Sequence, residues 1–274
     1  MFRTGASLLA LLFLVAGCGS LSIVNKPEAE KIKTVAIVSV YSNKVIYNRS
    51  PSSNGGALGG LMALKTLATD GVKAYENLEM KDPKIVNVGL KRFHSEFSKV
   101  GPWKVVPHTD VIKSAAYQKF TTKAPTTMKV KEGMINKTVN LKDEFIPAKG
   151  MVPFVVTHGS DEAVRAQLKQ LAKELKVDAV AVVKLDVGYT PSTAVGNVGS
   201  AAAAAGADVM IVNRNGEFAV ATAAHKKGEG TYETSDGTIA MAGNLAYSKE
   251  LEELIINAIG KTATYYGKEI NKNL

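Results

Sequence analysis

The chain has 274 residues, of which 46% are hydrophobic and 22% are charged. A chain of this length can bury the core of one large domain or two small ones, and its apolar fraction excludes a wholly disordered protein. Its single cysteine excludes an intramolecular disulfide framework and a metal cluster held by cysteines alone. The formal net charge is +9, but only five of the 34 basic residues are arginine, the residue on which nucleic-acid readers chiefly rely. We therefore expect a lysine-rich, solvated surface and no nucleic-acid partner.

The amino terminus has the pattern of a signal peptide. Its first 18 residues read MFRTGASLLALLFLVAGC, with Arg3 ahead of an apolar run over residues 6–16. This run is shorter than the roughly 20 residues that span a bilayer, but it fits the hydrophobic region of a leader. Residues 1–17 are therefore predicted to be a removable leader.

The leader ends in Val15-Ala16-Gly17-Cys18. This segment resembles the lipobox of bacterial lipoproteins, and the resemblance implies that Cys18 becomes the mature amino terminus and carries the lipid. Two or more acyl chains anchor a protein stably, whereas one holds it only marginally. Because Gly19 rather than an aspartate follows, the resemblance to enterobacterial lipoproteins also implies the outer membrane, facing the periplasm. The alternative is an ordinary secretory signal with a coincidental cysteine.

Beyond the leader, residues 18–31 are small and polar with one proline, which predicts a flexible tether after the lipidated cysteine. Residues 32–274 are predicted to form one α/β domain that begins with a buried strand at residues 33–40. Residues 121–157 lack a regular pattern and are predicted to be an irregular insertion, either a small hairpin or a loop.

Helical periodicity marks the first half of this domain. Pro83 suits the first turn of a helix whose apolar residues recur at intervals of four, three and four: Val86, Leu90, Phe93 and Phe97. Residues 103–107 predict a second strand, and Thr109 is expected to cap a short helix after it.

The second half shows clearer patterns. A helix capped by Ser160 is expected to bury a stripe made of Val164, Leu168, Leu171, Ala172 and Leu175. A long strand is predicted over residues 177–189, and residues 196–206 favour a small-residue strand or loop over a short helix. Asn215-Gly216 between two apolar runs predicts a hairpin, because both residues tolerate positive φ. Ser248 is expected to cap a last amphipathic helix.

This order of elements predicts an α/β sandwich with a mixed sheet in a single main domain. It resembles a broad group of envelope lipoproteins: the CsgG-like proteins, the penicillin-binding-protein activator lipoproteins and the amino-terminal domain of TolB. The sharpest similarity is LAKELKVDAVAVV at residues 171–183, where a helix gives way to a central strand through an aspartate followed by a small residue. The CsgG-like resemblance implies an oligomer that serves secretion or assembly.

Patterns for catalysis or metal binding are weak in this sequence. The histidines do not pair at metal-ligand spacing, and His94 lies beside an apolar helix face, which favours packing or surface over ligation. His158, Ser160 and Asp161 are close in sequence, but no nucleophile elbow accompanies them and helix capping explains the last two. The glycine-rich residues 55–60 lack a following Gly-Lys-Ser/Thr, so we interpret them as a loop.

Adjacent carboxylates occur three times, at residues 143–144, 161–162 and 252–253. Neighbouring residues on a helix point about 100° apart, so these pairs predict solvated faces rather than acid/base pairs. The candidate binding surface is Tyr41, Tyr47 and Arg49 beside the glycine-rich loop.

We therefore expect a non-enzymatic, membrane-anchored envelope lipoprotein with no cofactor and no metal. Its domain is expected to bind an envelope protein partner or another copy of itself. A CsgG-like oligomer for secretion or assembly and an envelope hydrolase are the alternatives.

Overall fold

A computed structural model describes residues 22–48, 78–132, 135–155, 162–195, 198–222, 234–242 and 248–274. Within these ranges a mixed sheet of ten strands runs through the molecule, and helices pack on both of its faces. The predicted α/β class with a mixed sheet is confirmed. The leader, Cys18 and the glycine-rich residues 55–60 lie outside the described residues.

The bounds of the elements, in chain order, are as follows. The strands are β1 (Ser22–Val24), β2 (Thr34–Asn43), β3 (Val45–Asn48), β4 (Leu78–Glu79), β5 (Lys104–Val105), β6 (Thr127–Glu132), β7 (Ile135–Asn140), β8 (Phe145–Pro147), β9 (Ala179–Val195), β10 (Val198–Asn213), β11 (Phe218–Thr222) and β12 (Thr234–Ala242). The helices are α1 (Lys26–Ala29), α2 (Lys84–Phe97), α3 (His108–Lys113), α4 (Ala115–Lys123), α5 (Leu141–Glu144), α6 (Glu162–Glu174) and α7 (Lys249–Asn273).

The main sheet has the strand order β1-β11-β10-β9-β2-β5. The central strand β2 runs parallel to β5 and β9, whereas β9, β10, β11 and β1 alternate in direction. β12 pairs with β10 on the same edge as β11, but nearer to the start of β10. Separately, β6 and β7 form a two-stranded hairpin, which confirms the hairpin interpretation within the insertion.

Alternating side chains divide the core between the two faces of the sheet. Helices α2 and α7 cover the first face, where residues such as Val35, Ile37 and Val183 are buried. Helices α3, α4 and α6 cover the second face, above residues such as Val38 and Val180. Both faces of β2 are thus buried, which explains its nearly continuous apolar run.

The long helices follow their predicted stripes. All four periodic residues of α2 are buried, as are Val164, Leu168, Leu171 and Ala172 of α6. Ser248 caps α7 by accepting a hydrogen bond from the Leu251 N–H at 3.2 Å, as predicted.

The predicted cap at Thr109 is wrong. Helix α3 begins one residue earlier, at His108 behind Pro107, and a separate helix α4 follows it. Ser114 caps that second helix, because its Oγ accepts a hydrogen bond from the Tyr117 N–H at 3.1 Å.

The predicted tether is shorter than its composition suggested. Residues 22–24 form edge strand β1 on β11, with Ile23 opposite Ala221. The α1 turn that follows buries Ala29 completely, and Trp103 Nε1–H donates to the Ala29 carbonyl at 3.4 Å. The prediction was wrong for residues 22–31 because their partners lie far along the chain, where local composition carries no signal.

The small-residue segment forms a strand. β10 begins at Val198 and pairs with β9 along its whole length, from Val195 opposite Val198 to Ala179 opposite Asn213. The hairpin predicted at Asn215-Gly216 joins β10 to β11, but only Gly216 has a positive φ, 88°. The Asn213 N–H donates to the Glu217 carbonyl at 2.9 Å, so the loop has three residues and a glycine bulge rather than a two-residue turn.

Candidate functional site

Charged residues lie in the middle of the sheet on its second face. Val180 and Val182 of β9 point to that face, so strand alternation places Lys184 and Asp186 on it as well. Tyr41 of β2 is the register partner of Lys184, and Asp208 of β10 is its partner on the other side. We call Tyr41, Tyr47, Lys184, Asp186 and Asp208 the polar row.

The polar row places one cation near two carboxylates. Side chains directly opposite each other on antiparallel strands have Cβ atoms about 5 Å apart, which puts Lys184 within reach of Asp208. Asp186 follows Lys184 by two residues on the same face and is only 8% exposed. Because charged groups inside a sheet are costly unless they are paired, this alternation of charges keeps the row compatible with the core.

A groove opens on the same face of the sheet, near the start of β2. It has a volume of about 380 Å³ between α3, α4 and the end of α6. Its walls include the apolar side chains of Ala36, Val111 and Val177, and two carboxylate residues, Asp110 and Glu174, also line it. We call this feature the acidic groove.

Neighbouring side chains hold Glu174 in its ionised form. Gln170 Nε2–H donates to Glu174 Oε1 at 2.7 Å, and Lys119 Nζ lies 3.7 Å from the same oxygen. The hydrogen bond from Gln170 is the largest cause that lowers the pKa of Glu174, and Lys119 lowers it further. Two ionisable carboxyl groups, those of Asp110 and Glu174, therefore line a groove with an apolar floor, and Lys119 pairs with the second of them.

Asp178 joins three chain segments where α6 gives way to β9. Its carboxylate accepts hydrogen bonds from Lys33 N–H at 3.1 Å, Thr34 N–H at 2.9 Å and Thr34 Oγ1–H at 2.9 Å. Arg214 Nη2 lies 2.5 Å from its other oxygen. Burial acts to raise the pKa of Asp178, but the hydrogen bonds from Thr34 and Lys33, together with Arg214, outweigh it and lower that pKa. The aspartate in the sequence pattern at residues 171–183 thus has a structural explanation.

The residues predicted to rim a binding surface are not arranged as one. Tyr41 and Tyr47 both lie on strands beside β9, Tyr47 as the register partner of Gly188. Tyr41, however, is 2% exposed, and its ring packs edge-to-face against Phe145 with centroids 5.2 Å apart. The ring of Tyr41 therefore belongs to the core rather than to a surface, whereas Arg49 lies outside the described residues.

The histidine predictions fall partly inside the described ranges. His158, Ser160, Asp161 and His225 lie outside them. His94 is half-buried, and burial is the largest cause that lowers its pKa. No group of three or more potential metal ligands occurs among the residues that the structure describes.

The carboxylate pairs divide into two cases. Asp143 and Glu144 are exposed, as predicted. Glu252 is 5% exposed and accepts a hydrogen bond from the Lys84 ammonium, so the prediction of a solvated face was wrong for this residue. Lys84 begins α2 and lies 168 positions away along the chain, which is why adjacent carboxylates in the sequence carried no sign of the pair.

No known family model matches this chain, and no curated protein sequence is significantly similar to it. Across the described ranges, none of the helices combines the length and the apolar character needed to cross a bilayer.

Proposed function

We propose that the protein is a lipoprotein of a bacterial cell envelope, held to a membrane by acyl chains on Cys18. Its α/β domain binds another envelope component and catalyses no reaction. The observation that carries this proposal is the leader of residues 1–17, which ends in Val15-Ala16-Gly17-Cys18 around the only cysteine of the chain. The position of β1 supports it, because this strand lies at an edge of the sheet and begins only four residues after Cys18.

The acidic groove is the binding surface that we assign to the partner. Its floor is apolar, and Asp110 and Glu174 give it negative charge. A partner segment with a small apolar side chain beside a lysine or arginine would match both properties. The groove lies on the second face of the sheet, whereas the anchor leaves the domain at the β1 edge.

The anchor is tested by replacing its thiol in a bacterial host. We expect mass spectrometry of the native protein to find cleavage before residue 18 and an acylated Cys18, and fractionation to place the protein with membranes. Cys18→Ser should move it into the soluble fraction or leave its leader uncleaved, whereas the control Ser20→Ala should behave like the native protein. An unmodified Cys18 thiol in membrane-bound protein would contradict the proposal.

The partner surface is tested by photocrosslinking in intact cells. A photoreactive residue at the exposed position Ala115, beside the groove, should yield a discrete adduct that the same residue at exposed Asp143 does not yield. Charge reversal by Glu174→Lys should abolish this adduct while leaving the protein folded. Identical adducts from both positions would exclude the groove as the binding surface.

A CsgG-like oligomer that serves secretion or assembly is the second candidate function. The observation that favours it is the length of β9 and β10, which have 17 and 16 residues and continue past the last pairing between β9 and β3 at Tyr189. Size measurement of the detergent-extracted lipoprotein separates the two candidates. A large ring-sized assembly favours the oligomer, and a monomer removes it.

A further inference from the structure

The β9–β10 pair has two ends of very different character. One end is the hairpin around Asn215 with the neighbouring turn α1, which we call the hairpin end. The other is formed by residues 190–195 of β9, 198–202 of β10 and 238–242 of β12, which we call the sheet tip.

The strand registers fix the direction of β1, the strand that follows the anchor. Ala221 pairs with both Ile23 and Met210, so β1 runs parallel to β10 and Ser22 lies level with Val209. The first residue of β1, Ser22, therefore faces the start of β10 along the strand direction, and the start of β10 belongs to the sheet tip. Cys18 precedes Ser22 by four residues, and a fully extended chain covers about 14 Å over that distance.

The sheet tip extends farther than the anchor. Val198 precedes Val209 by 11 residues on β10, which corresponds to about 36 Å of strand. Along the strands, Cys18 therefore stays about 22 Å short of the sheet tip even when the anchor is fully extended. The sheet tip meets the membrane that holds the lipid first, and the strands must tilt away from the membrane normal until Cys18 reaches the same surface. The reverse orientation is also constrained, because the hairpin end lies about 20 Å beyond the level of Ser22, and the anchor would have to double back to reach a membrane there.

Charge separates the two ends. Within the described strands, residues 187–195, 198–207 and 237–242 contain no charged side chain. The hairpin end carries the exposed charges of Lys26, Glu30, Arg214 and Glu217. Charged groups are costly to place in a bilayer, so only the sheet tip has a composition compatible with contact with lipid.

From the direction of β1, the reach of the four residues before it and this absence of charge, we propose that the sheet tip contacts the bilayer that holds the lipid on Cys18. The protein is then attached at two points, and its sheet is oriented with the hairpin end away from the membrane. Among the described strands, β12 pairs only with β10, so its outer backbone edge needs hydrogen-bond partners that a hydrocarbon core does not supply. The contact is therefore placed in the interfacial layer, where water and headgroups can satisfy that edge.

This inference rests on the proposed lipid anchor, and its experiment separates the two. Acylation occupies the only native thiol, so an introduced cysteine in the mature lipoprotein can be labelled alone with an environment-sensitive fluorophore. Ala194→Cys and Val195→Cys report on the sheet tip, and two adjacent strand positions sample both faces of the sheet. Asn215→Cys is the control at the hairpin end, where residue 215 is exposed.

The labelled lipoproteins are reconstituted into vesicles of phosphatidylethanolamine and phosphatidylglycerol that carry nitroxide-labelled lipids. We expect at least one sheet-tip label to shift its emission to the blue and to show several-fold stronger quenching than the label at position 215. Equal quenching at all positions in protein that floats with the vesicles would overturn the sheet-tip contact and leave the anchor intact. Protein that fails to float would overturn the anchor and, with it, the inference.

Discussion

The two ends of the β9–β10 pair are held in place by different kinds of interaction. At the hairpin end, the Asp178 carboxylate accepts hydrogen bonds from Thr34 and Arg214, and Asn213 Nδ2–H donates to Glu28 at 2.7 Å. Toward the sheet tip, helix α7 alone supplies two hydroxyls, from Thr262 and Tyr266, to the backbone of β10. One end is a polar corner that joins distant chain segments, whereas among the described residues the other is held by strand pairing with β9 and β12 and by hydroxyls of α7. We expect the two ends to open as separate units.

The largest expected effect is on the side of the sheet tip. Tyr266 is fully buried, and its hydroxyl donates to the Ala207 carbonyl at 2.7 Å. Tyr266→Ala should lower the free energy of unfolding by about 3–5 kcal/mol, because it leaves a large cavity between α7 and the sheet. Chemical denaturation measures this loss.

Tyr266→Phe keeps the ring and removes only the hydroxyl, which should cost about 1 kcal/mol. Hydrogen exchange in this milder variant should accelerate at residues 203–209 of β10 more than at residues 210–213. Uniform acceleration along β10 would show that the two ends open together and not as separate units.

The next effect concerns the hairpin end. Asp178→Ala removes the acceptor for four hydrogen bonds and should destabilise the protein by about 2–3 kcal/mol, because the donors are left in a partly buried site. Asp143→Ala, at an exposed position on α5, is the control and should change stability by less than about 0.5 kcal/mol.

The Asp178 carboxylate should also make the stability of the protein depend on pH. Its pKa is lower in the folded state than in the unfolded chain, so the stability that it contributes is present at neutral pH and is lost as the pH falls through the folded pKa. The stability difference between the native protein and Asp178→Ala should therefore begin to shrink as the pH falls below about 4, and it should disappear below the folded pKa of Asp178. A stability difference that persists unchanged in acid would assign the loss to packing rather than to charge.

Local patterns predicted the helical stripes, the Ser248 cap and the hairpin at Asn215-Gly216, and long-range partners decided the rest. The stripe of α2 and the cap at Ser248 depend on residues within one or two turns of a helix, so the sequence contains them directly. The edge pairing of β1 with β11 and the burial of Tyr41 against Phe145 depend on segments far apart in the chain. A lone sequence has no signal for such pairings, which is why the tether and the tyrosine surface were misjudged.

Between the two ends, Gly89 sets how closely α2 approaches β9. A Cβ at this position would lie 2.5 Å from Leu185 Cδ1, a buried atom. A Cβ at Gly260 on α7 would meet nothing closer than 3.6 Å. Gly260→Ala should therefore gain up to about 1 kcal/mol from helix propensity, whereas Gly89→Ala should be less stable than Gly260→Ala by about 1–3 kcal/mol. Equal stabilities in thermal unfolding would mean that Leu185 moves aside without cost.

The smallest expected change in stability comes from Lys176, which ends α6 beside the hairpin end. Lys176 follows α6 with φ 56°, where the Val177 N–H donates to the Ala172 carbonyl at 3.0 Å, the geometry in which a helix usually ends on glycine. Lys176→Gly should therefore raise the free energy of unfolding by about 0.5–1 kcal/mol, because glycine adopts positive φ without a steric penalty. Lys173→Gly, three residues earlier and inside α6, should lower it by a similar amount, because there the same substitution only adds backbone freedom. Denaturation that moves both variants in the same direction would show that backbone conformation at residue 176 does not control this corner, and that the contacts of Asp178 hold the end of α6 by themselves.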